Sequence, residues 1–430
     1  MVPNDGHVAI IGSGAWGLST ALHLRRAGYL NITVFDRAAQ IPSCYSAGWD
    51  INKIVRAEYE DEFYSKLSLE AIAEWKGPLF APHYHQTGYI VATSGNAPEK
   101  VTKHLEKALA SIETDPTIAG GIRRLHDAKD FNDYAWQFSG PMSGFKGYYN
   151  RVAGYVHSSD VMKAVWEHCA SQGVKFILGE DKGAVVSLNY SGESKCVGVT
   201  TRDGKQHPAD LTICAAGAYT ASLVPSIGNF TTARCWSVAH VQLTEEEANL
   251  LRGIPTTNIR DLGFFFEPDP KTKLFKLCPL GIGYTNTNKD TGVSLPPIDC
   301  RSTQLDFIPI KDEEKLRQLL HETLPWMADR PFVDKRLCWF SDTRDSNYCI
   351  DFVPDTGRSV ICLAGDSGHG FKMMPIFGRW VVDLIHAGKQ DALRWQWRET
   401  DLRGENWADD VSWRIGTGAE LRDLIREDQT

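Results

Sequence analysis

His7-Val8-Ala9-Ile10-Ile11-Gly12-Ser13-Gly14-Ala15-Trp16-Gly17 is the stretch that decides the fold. His7 to Ile11 is a short apolar run with β-branched character, which reads as a strand. Leu18 to Ala27 follows with Ala21, Leu22 and Leu24 at helical spacing, and Gly28 stops the helix. Ile32-Thr33-Val34-Phe35 reads as a second strand ending at Asp36. Strand, glycine-rich turn, helix and strand in this order predict a βαβ unit that binds a dinucleotide. Gly12 permits the tight turn, Gly14 lets the backbone approach a pyrophosphate, and Gly17 allows close helix–strand packing. Ala15 and Trp16 open the helix, whose free N–H groups and positive dipole end face the phosphates. Asp36 is placed to accept hydrogen bonds from ribose hydroxyls, with Arg37 beside it as a further cofactor contact. The motif alone does not choose between NAD and FAD.

Outward from this unit, Val174–Leu178, Leu211–Ala215 and Val360–Ala364 read as further buried strands. Between them lie segments of another style. Residues 76–150 are rich in Gly, Pro, His and aromatics, and residues 230–335 alternate strand-like runs, such as Gly263-Phe264-Phe265-Phe266-Glu267, with polar loops. A chain of 430 residues is too long for one core. The predicted architecture is α/β: a Rossmann-type cofactor domain over 1–75, 152–228 and 336–393, interleaved with an α+β substrate domain carrying a mixed sheet over 76–151 and 229–335. The segment 394–430 is a polar, Trp-containing tail.

The composition, 42% hydrophobic and 23% charged, is that of a soluble globular protein. A net charge of -8 gives no reason to expect nucleic acid or an anionic membrane as partner. Ten Cys occur without a Cys-x-x-Cys pair or a metal-like cluster, so no metal is expected. Met1 to Gly6 has neither a basic nor an apolar signal region, and no apolar run is long enough to span a bilayer. Glu427-Asp428-Gln429-Thr430 lacks a Ser-Lys-Leu address. The expectation is a cytoplasmic monomer with reduced thiols.

Three further segments bear on the cofactor. Ser46-Ala47-Gly48-Trp49-Asp50-Ile51-Asn52-Lys53-Ile54-Val55-Arg56 closely resembles a stretch of fungal fructosyl amino acid oxidases, the amadoriases. Leu337-Cys338-Trp339-Phe340-Ser341-Asp342-Thr343 resembles the segment whose cysteine carries covalent flavin in amadoriases and monomeric sarcosine oxidases. Ala364-Gly365-Asp366-Ser367-Gly368-His369-Gly370-Phe371-Lys372 resembles a flavin-contacting signature of the same group. Phe265-Phe266-Glu267-Pro268 with Phe275-Lys276-Leu277-Cys278 is a weaker match. All run in the family's order.

The resemblance implies an FAD protein of the glutathione reductase-like, D-amino acid oxidase-like type. It implies oxidation of the C–N bond of a secondary or N-alkylated amino acid, with molecular oxygen as acceptor. The products would be hydrogen peroxide and an imine that is hydrolysed or cyclised. Residue by residue, Cys338 matches the covalent flavin attachment, although a strand Cys on composition alone is usually inert. Lys276 matches the lysine that activates oxygen, where a positive charge stabilises superoxide. Lys53 matches a basic residue near the flavin face, and Asp50 either contacts substrate or orients Lys53. Arg56 and Lys372 match a pair that holds the substrate carboxylate. Trp49 and Leu280 are assigned to the substrate wall. Ser46, Asp366, Gly368, Gly370 and Phe371, with Lys372, belong to the flavin contacts, and His369 with Gly370 to its pyrimidine end.

One departure stands out. Amadoriases place an acidic pair just after the matching Lys-x-Cys, and here Pro279 and Leu280 stand there. That favours a less polar substrate over a sugar amine. Arg403 and Arg414 in the tail are further candidates for carboxylate binding. Three readings stay open beside the main one: a fructosyl amino acid oxidase, an NAD(P)-dependent dehydrogenase, and a flavin-binding module without turnover. Lys53, Lys276 and Lys372 together argue against the last.

Overall fold

The opening βαβ unit forms where the glycine spacing puts it. In the computed structural model, which describes residues 2–192, 194–297, 307–405, 407, 411 and 414–427, strand His7–Ile11 leads into helix Ala15–Arg26 and strand Asn31–Asp36. The two strands pair in parallel, Val8 opposite Ile32 and Ile10 opposite Val34. Leu211–Cys214 pairs in parallel on the other side of the first strand, and Val360–Ala364 beyond it. Cys349–Phe352 closes that edge antiparallel, and Lys175–Leu178 closes the opposite edge beside Asn31–Asp36. The result is a six-stranded, mostly parallel sheet. Its central strands are apolar on both faces because helices Ala15–Arg26 and Met374–Ala387 and a core of Val8, Ile10, Leu18, Leu22, Ile213 and Phe377 cover them.

Val174–Leu178 is not the buried strand its composition suggests. Only Val174 is buried, and residues 176–178 are half-exposed, because this is the edge strand. The Glu427–Thr430 end lies, after Glu427, outside the described residues, as does part of the 229–335 segment. Among the described residues no helix is long and apolar enough to cross a membrane.

A second, ten-stranded sheet is mixed: Thr256–Ile259 runs parallel to Tyr89–Thr93, while its other neighbour Gly263–Phe265 is antiparallel. Its longest strands, Thr231–Gln242 and Phe332–Thr343, pair antiparallel with Trp236 opposite Cys338 and Val238 opposite Arg336. Phe332–Thr343 crosses the boundary drawn at residue 336, so the Cys338 segment is a strand of this sheet.

Period-2 alternation sorts the residues of this sheet. Ile90, Ala239, Val241, Phe265, Phe275 and Leu277 point to one face, where helix Ile310–Thr323 buries them with Leu316, Leu319 and Leu320. Their neighbours Asn258, Phe264, Phe266, Lys276, Cys278 and Cys338 point to the other face and line a cavity.

Candidate active site

That cavity holds about 840 Å³, towards the upper end of the roughly 300–1,000 Å³ range of small-molecule sites. Its wall runs from Gly12, Gly14, Asp36 and Arg37 to Lys53, Lys276, Cys338 and Lys372.

At the first end, the helix Ala15–Arg26 starts at Gly14 with no side-chain cap and no acidic residue in its first turn. Its first N–H groups are therefore open to an anion. Gly12 has φ +103°, and a Cβ there would strike the Ala215 carbonyl. A Cβ on Gly17 would strike the Gly12 carbonyl, and Gly17 is absent from the cavity wall, as its packing role requires. Asp36 accepts from Ser13 N and Oγ (2.8 and 2.7 Å), Ala38 N (2.8 Å) and Ser43 Oγ (2.8 Å). These occupy the roughly four lone-pair positions of a carboxylate, so a ribose hydroxyl would exchange with Ser13 or Ser43. The Arg37 guanidinium lies 3.4 Å from the Tyr45 ring centre and 4.0 Å from that of Tyr219. Neither tyrosine carries a motif in the sequence.

The end fits the ADP half of FAD: open helix N–H groups, and an approach at Gly14 where an added Cβ would meet only Ser46. Along the rest of the wall, the indole N–H groups of Trp236 and Trp339 find no partner among the described residues. Trp16 packs on Phe377 and reaches the Gly370 carbonyl, tying the helix start to the Asp366–Lys372 turn. Asp366 accepts from Ser341 N and Gly368 N, both 3.1 Å, and burial pushes its carboxyl up to about 6. Ser46 accepts from Gly48 N at 3.0 Å. Ser46, Asp366, Gly368, Gly370 and Phe371 all line the cavity.

Asp50 is the hub of the second end. Its Oδ2 lies 2.5 Å from Lys276 Nζ and 2.7 Å from Lys53 Nζ, and its Oδ1 lies 2.9 Å from an Arg336 nitrogen. Burial alone would raise its pKa, but Lys276, then Lys53 and Arg336, hold it far below the usual range. Lys276 is 1% exposed, so it is no solvated strand lysine, and burial draws its pKa down against Asp50. Lys53 is partly open, and Asp50 raises its pKa against desolvation. Lys53 Nζ also lies 3.9 Å from the Cys338 sulfur. Cys338 faces the cavity and is partly exposed, whereas Cys349 and Cys362 are fully buried in the core beneath the first sheet.

Arg56 and Lys372 meet around Tyr59. The Tyr59 ring lies 4.9 Å from the Arg56 guanidinium and 5.1 Å from Lys372 Nζ. Lys372 donates to Tyr59 Oη at 2.7 Å and to the His369 carbonyl at 2.8 Å. His369 Nε2 lies 2.8 Å from the Ser346 carbonyl and so donates, leaving the single lone pair of Nδ1 to accept from Tyr59 at 3.0 Å, while Tyr348, also 3.0 Å away, shares that lone pair or donates to the His369 carbonyl at 3.4 Å. Burial, and then the Lys372 charge, push His369 well below its ordinary value, and the ring is neutral. Burial, and then the Arg56 charge, hold Lys372 well below the lysine range. Arg56 itself makes no hydrogen bond or ion pair among the described residues. The ring of His369 thus supports Lys372 through Tyr59.

The fold leaves other candidates outside the site. Trp49 does not line the cavity; its ring packs under the Arg336 guanidinium at 5.1 Å. Arg414 is buried and spent on Asp342, Thr343 and Ser346, so it is structural, and Arg403 is exposed and pairs with Asp401. The same geometry brings in residues without a motif: Arg336, Tyr59, Glu58, Asn258 and Arg260. The period-2 spacing of Arg336 with Cys338, and of Asn258 with Arg260, was the available signal.

Residues 7–384 match the model of the family described as FAD dependent oxidoreductase. The chain is 32% identical over 426 residues to L-saccharopine oxidase of Schizosaccharomyces pombe, covering 95% of each. It is 22% identical over 390 residues to monomeric sarcosine oxidase of a Bacillus species, covering 89% of this chain and 93% of that one. Its fold superposes with a TM-score of 0.89 and 32% identity on the deglycating enzyme fructosamine oxidase (Amadoriase II) of Aspergillus fumigatus in complex with FSA, covering 99% of this chain and 97% of that one. A glycine cradle at a helix start, leading into a cavity walled by buried lysines, accords with these matches, and the chain belongs to the FAD dependent oxidoreductase family. Within it, the protein is a flavin-dependent oxidase of C–N bonds.

Proposed function

We propose that the substrate is an N-substituted amino acid whose carboxylate binds between Arg56 and Lys372. The observation that carries this reading is that pair: two cations on one cavity wall, Arg56 without a carboxylate partner and Lys372 held only by neutral oxygens. A carboxylate between them relieves their repulsion and restores the proton that Lys372 is prone to lose. FAD bound in the cavity supplies the two-electron acceptor for the C–N bond and passes the electrons to oxygen, giving hydrogen peroxide.

The protein's own groups do the rest. Arg56 and Lys372 orient the amino acid, and Tyr59 with His369 fixes Lys372. Asp50 holds Lys53 and Lys276 in place as preorganised positive charge, which favours anionic species formed beside it. No side chain has to act as general base when the amine arrives neutral. The Cys338 thiol, open to the cavity and near Lys53, is the attachment point for a covalent flavin thioether. The FAD-binding domain is assigned to 1–75, 152–228 and 336–393 and the substrate domain to 76–151 and 229–335, with 394–430 as a tail; Arg56 and Lys372 reach the substrate from the FAD-binding domain.

Leu280 stands where an acidic residue would serve a sugar, so N-alkyl amino acids are preferred to fructosyl amino acids. The name of the fission-yeast relative puts saccharopine, an amino acid with a substituted nitrogen, among the first compounds to test. The likeness to the fructosamine oxidase supports a deglycating oxidase as the second reading. A panel of N-methyl amino acids, cyclic imino acids, saccharopine and fructosyl amino acids, read by peroxide release, separates the two. Best turnover of fructosyl glycine would make the second reading correct.

A further inference from the structure

Arg260 is a buried cation that makes no ion pair among the described residues. It follows strand Thr256–Ile259, and alternation points it, with Asn258, into the cavity. Its backbone N–H is tied to the Ala92 carbonyl at 2.8 Å, so its base is fixed in the sheet. The residue is 7% exposed, its Nε has no partner, and its guanidinium makes no hydrogen bond or ion pair among the described residues. Buried guanidinium groups carry five donors and are ordinarily paired. Burial, with the Arg56 charge adding to it, draws its pKa below the ordinary arginine value.

The nearby carboxylates, Glu58 and Glu60, make no hydrogen bond to it among the described residues. Glu58 Oε1 accepts from Asn150 at 2.6 Å, leaving one oxygen open. Glu60 faces His104 at 3.3 Å and Lys107 at 3.9 Å. Arg56, Arg260 and Lys372 stand against the two charges of Glu58 and Glu60, the latter shared with Lys107, so a single substrate carboxylate between Arg56 and Lys372 still leaves one positive charge unmatched, with the Arg260 guanidinium unbonded. Nor does the neighbouring strand end help. Leu280 N donates to the Leu262 carbonyl, in the same turn as Arg260, and Pro279 and Leu280 bring no negative charge there. Sugar hydroxyls would leave that charge uncompensated, whereas a carboxylate meets a guanidinium with two parallel hydrogen bonds.

We propose that Arg260 forms a second carboxylate subsite, and that the preferred substrates are amino acids whose N-substituent itself ends in a carboxylate. This rests on the assignment of Arg56 and Lys372 to the amino-acid carboxylate. Arg260 selects the substrate and takes no part in the redox step.

The test uses the flavin-loaded enzyme and two matched series: N-carboxymethyl, N-carboxyethyl and N-carboxypropyl glycine against N-ethyl, N-propyl and N-butyl glycine. At its best chain length the acid should exceed its alkyl partner in kcat/KM by roughly 10- to 100-fold, the size of a charge-assisted hydrogen-bonded contact. Arg260→Met should reduce that ratio to about twofold or less, the loss falling on the acid series, and Arg260→Lys should keep part of it. A second readout does not need turnover. Diglycolate should raise the thermal midpoint of the parent more than methoxyacetate does, and Arg260→Met should abolish the difference. With no ligand present, Arg260→Met should melt no lower than the parent, since it removes an unpaired buried charge. Equal rates for both series in the parent, or an equal loss of both in Arg260→Met with a lowered midpoint, would overturn the subsite. Failure of Arg56→Ala to weaken either series would instead overturn the reading on which it rests.

Discussion

Lys276 Nζ sits 2.5 Å from Asp50 Oδ2, and this contact joins the long mixed sheet to the turn before Lys53–Val55. The same oxygen holds Lys53, and the other oxygen of the carboxylate holds Arg336. One buried anion in the cavity wall thus organises three cations and keeps the charges of Lys53 and Lys276 in position.

Asp50→Asn should therefore cost more than one hydrogen bond. It leaves Lys276 buried without its counter-ion and Arg336 with Asp334 alone, a loss of about 3–5 kcal/mol. Denaturant unfolding at neutral pH measures it; a change under 1 kcal/mol would mean that the cluster relaxes freely. The pH dependence has a definite sign. The folded pKa of Asp50 is depressed, so its stabilisation is present above the ordinary carboxylate range and drains away as pH falls below roughly 5. Asp50→Asn should flatten that acid limb.

Lys276→Met tests the oxygen half-reaction. Removing one preorganised charge should slow flavin reoxidation by roughly a hundred- to a thousandfold, with a much smaller effect on reduction by the amine. Stopped-flow traces of the two half-reactions separate these. Unchanged reoxidation would assign Lys276 to the support of Asp50 alone.

Cys338→Ala tests the cofactor bond. The parent should keep its yellow colour in the protein pellet after acid precipitation, and the variant should release its FAD to the supernatant. Release from the parent as well would sink the thioether.

Lys372 and Arg56 predict a pH profile as well as a loss. Each alanine variant should lose about 2–5 kcal/mol in kcat/KM towards an N-alkyl amino acid and little towards an amine without a carboxylate. Burial and Arg56 hold the folded pKa of Lys372 well below 10.5, so the empty site loses this charge as pH rises through that lowered value. Carboxylate binding should weaken over the same window, and Lys372→Arg, which does not titrate, should remove the dependence. Stability moves the other way. The unfolded chain binds the extra proton, so this group's cost shrinks as pH rises from the folded towards the unfolded value. An equal loss for substrates with and without a carboxylate would assign the pair to the flavin.

What the sequence determined by itself was local. The Gly12–Gly17 turn, its helix and the strand ending at Asp36 are dictated by φ, by close packing and by apolar period, all of which act within a few residues. Cys338, Lys276 and Lys372 were legible because each stands in a contiguous motif. Tertiary structure alone decided the partners. Asp50 meets Lys276 and Arg336 only because two strands of one sheet come to lie over the turn that carries it. The half-exposure of Lys175–Leu178 is set by its position at the sheet edge, which its apolar composition does not encode. Trp49 shares a motif with Asp50 and Lys53 yet packs outside the cavity. Arg260 shares a motif with nothing, and it enters the site because alternation along its strand turns it inward while the opposite face goes to the core. Electrostatic partnership depends on distance in space, and sequence spacing carries that information only within a single helix, strand or turn.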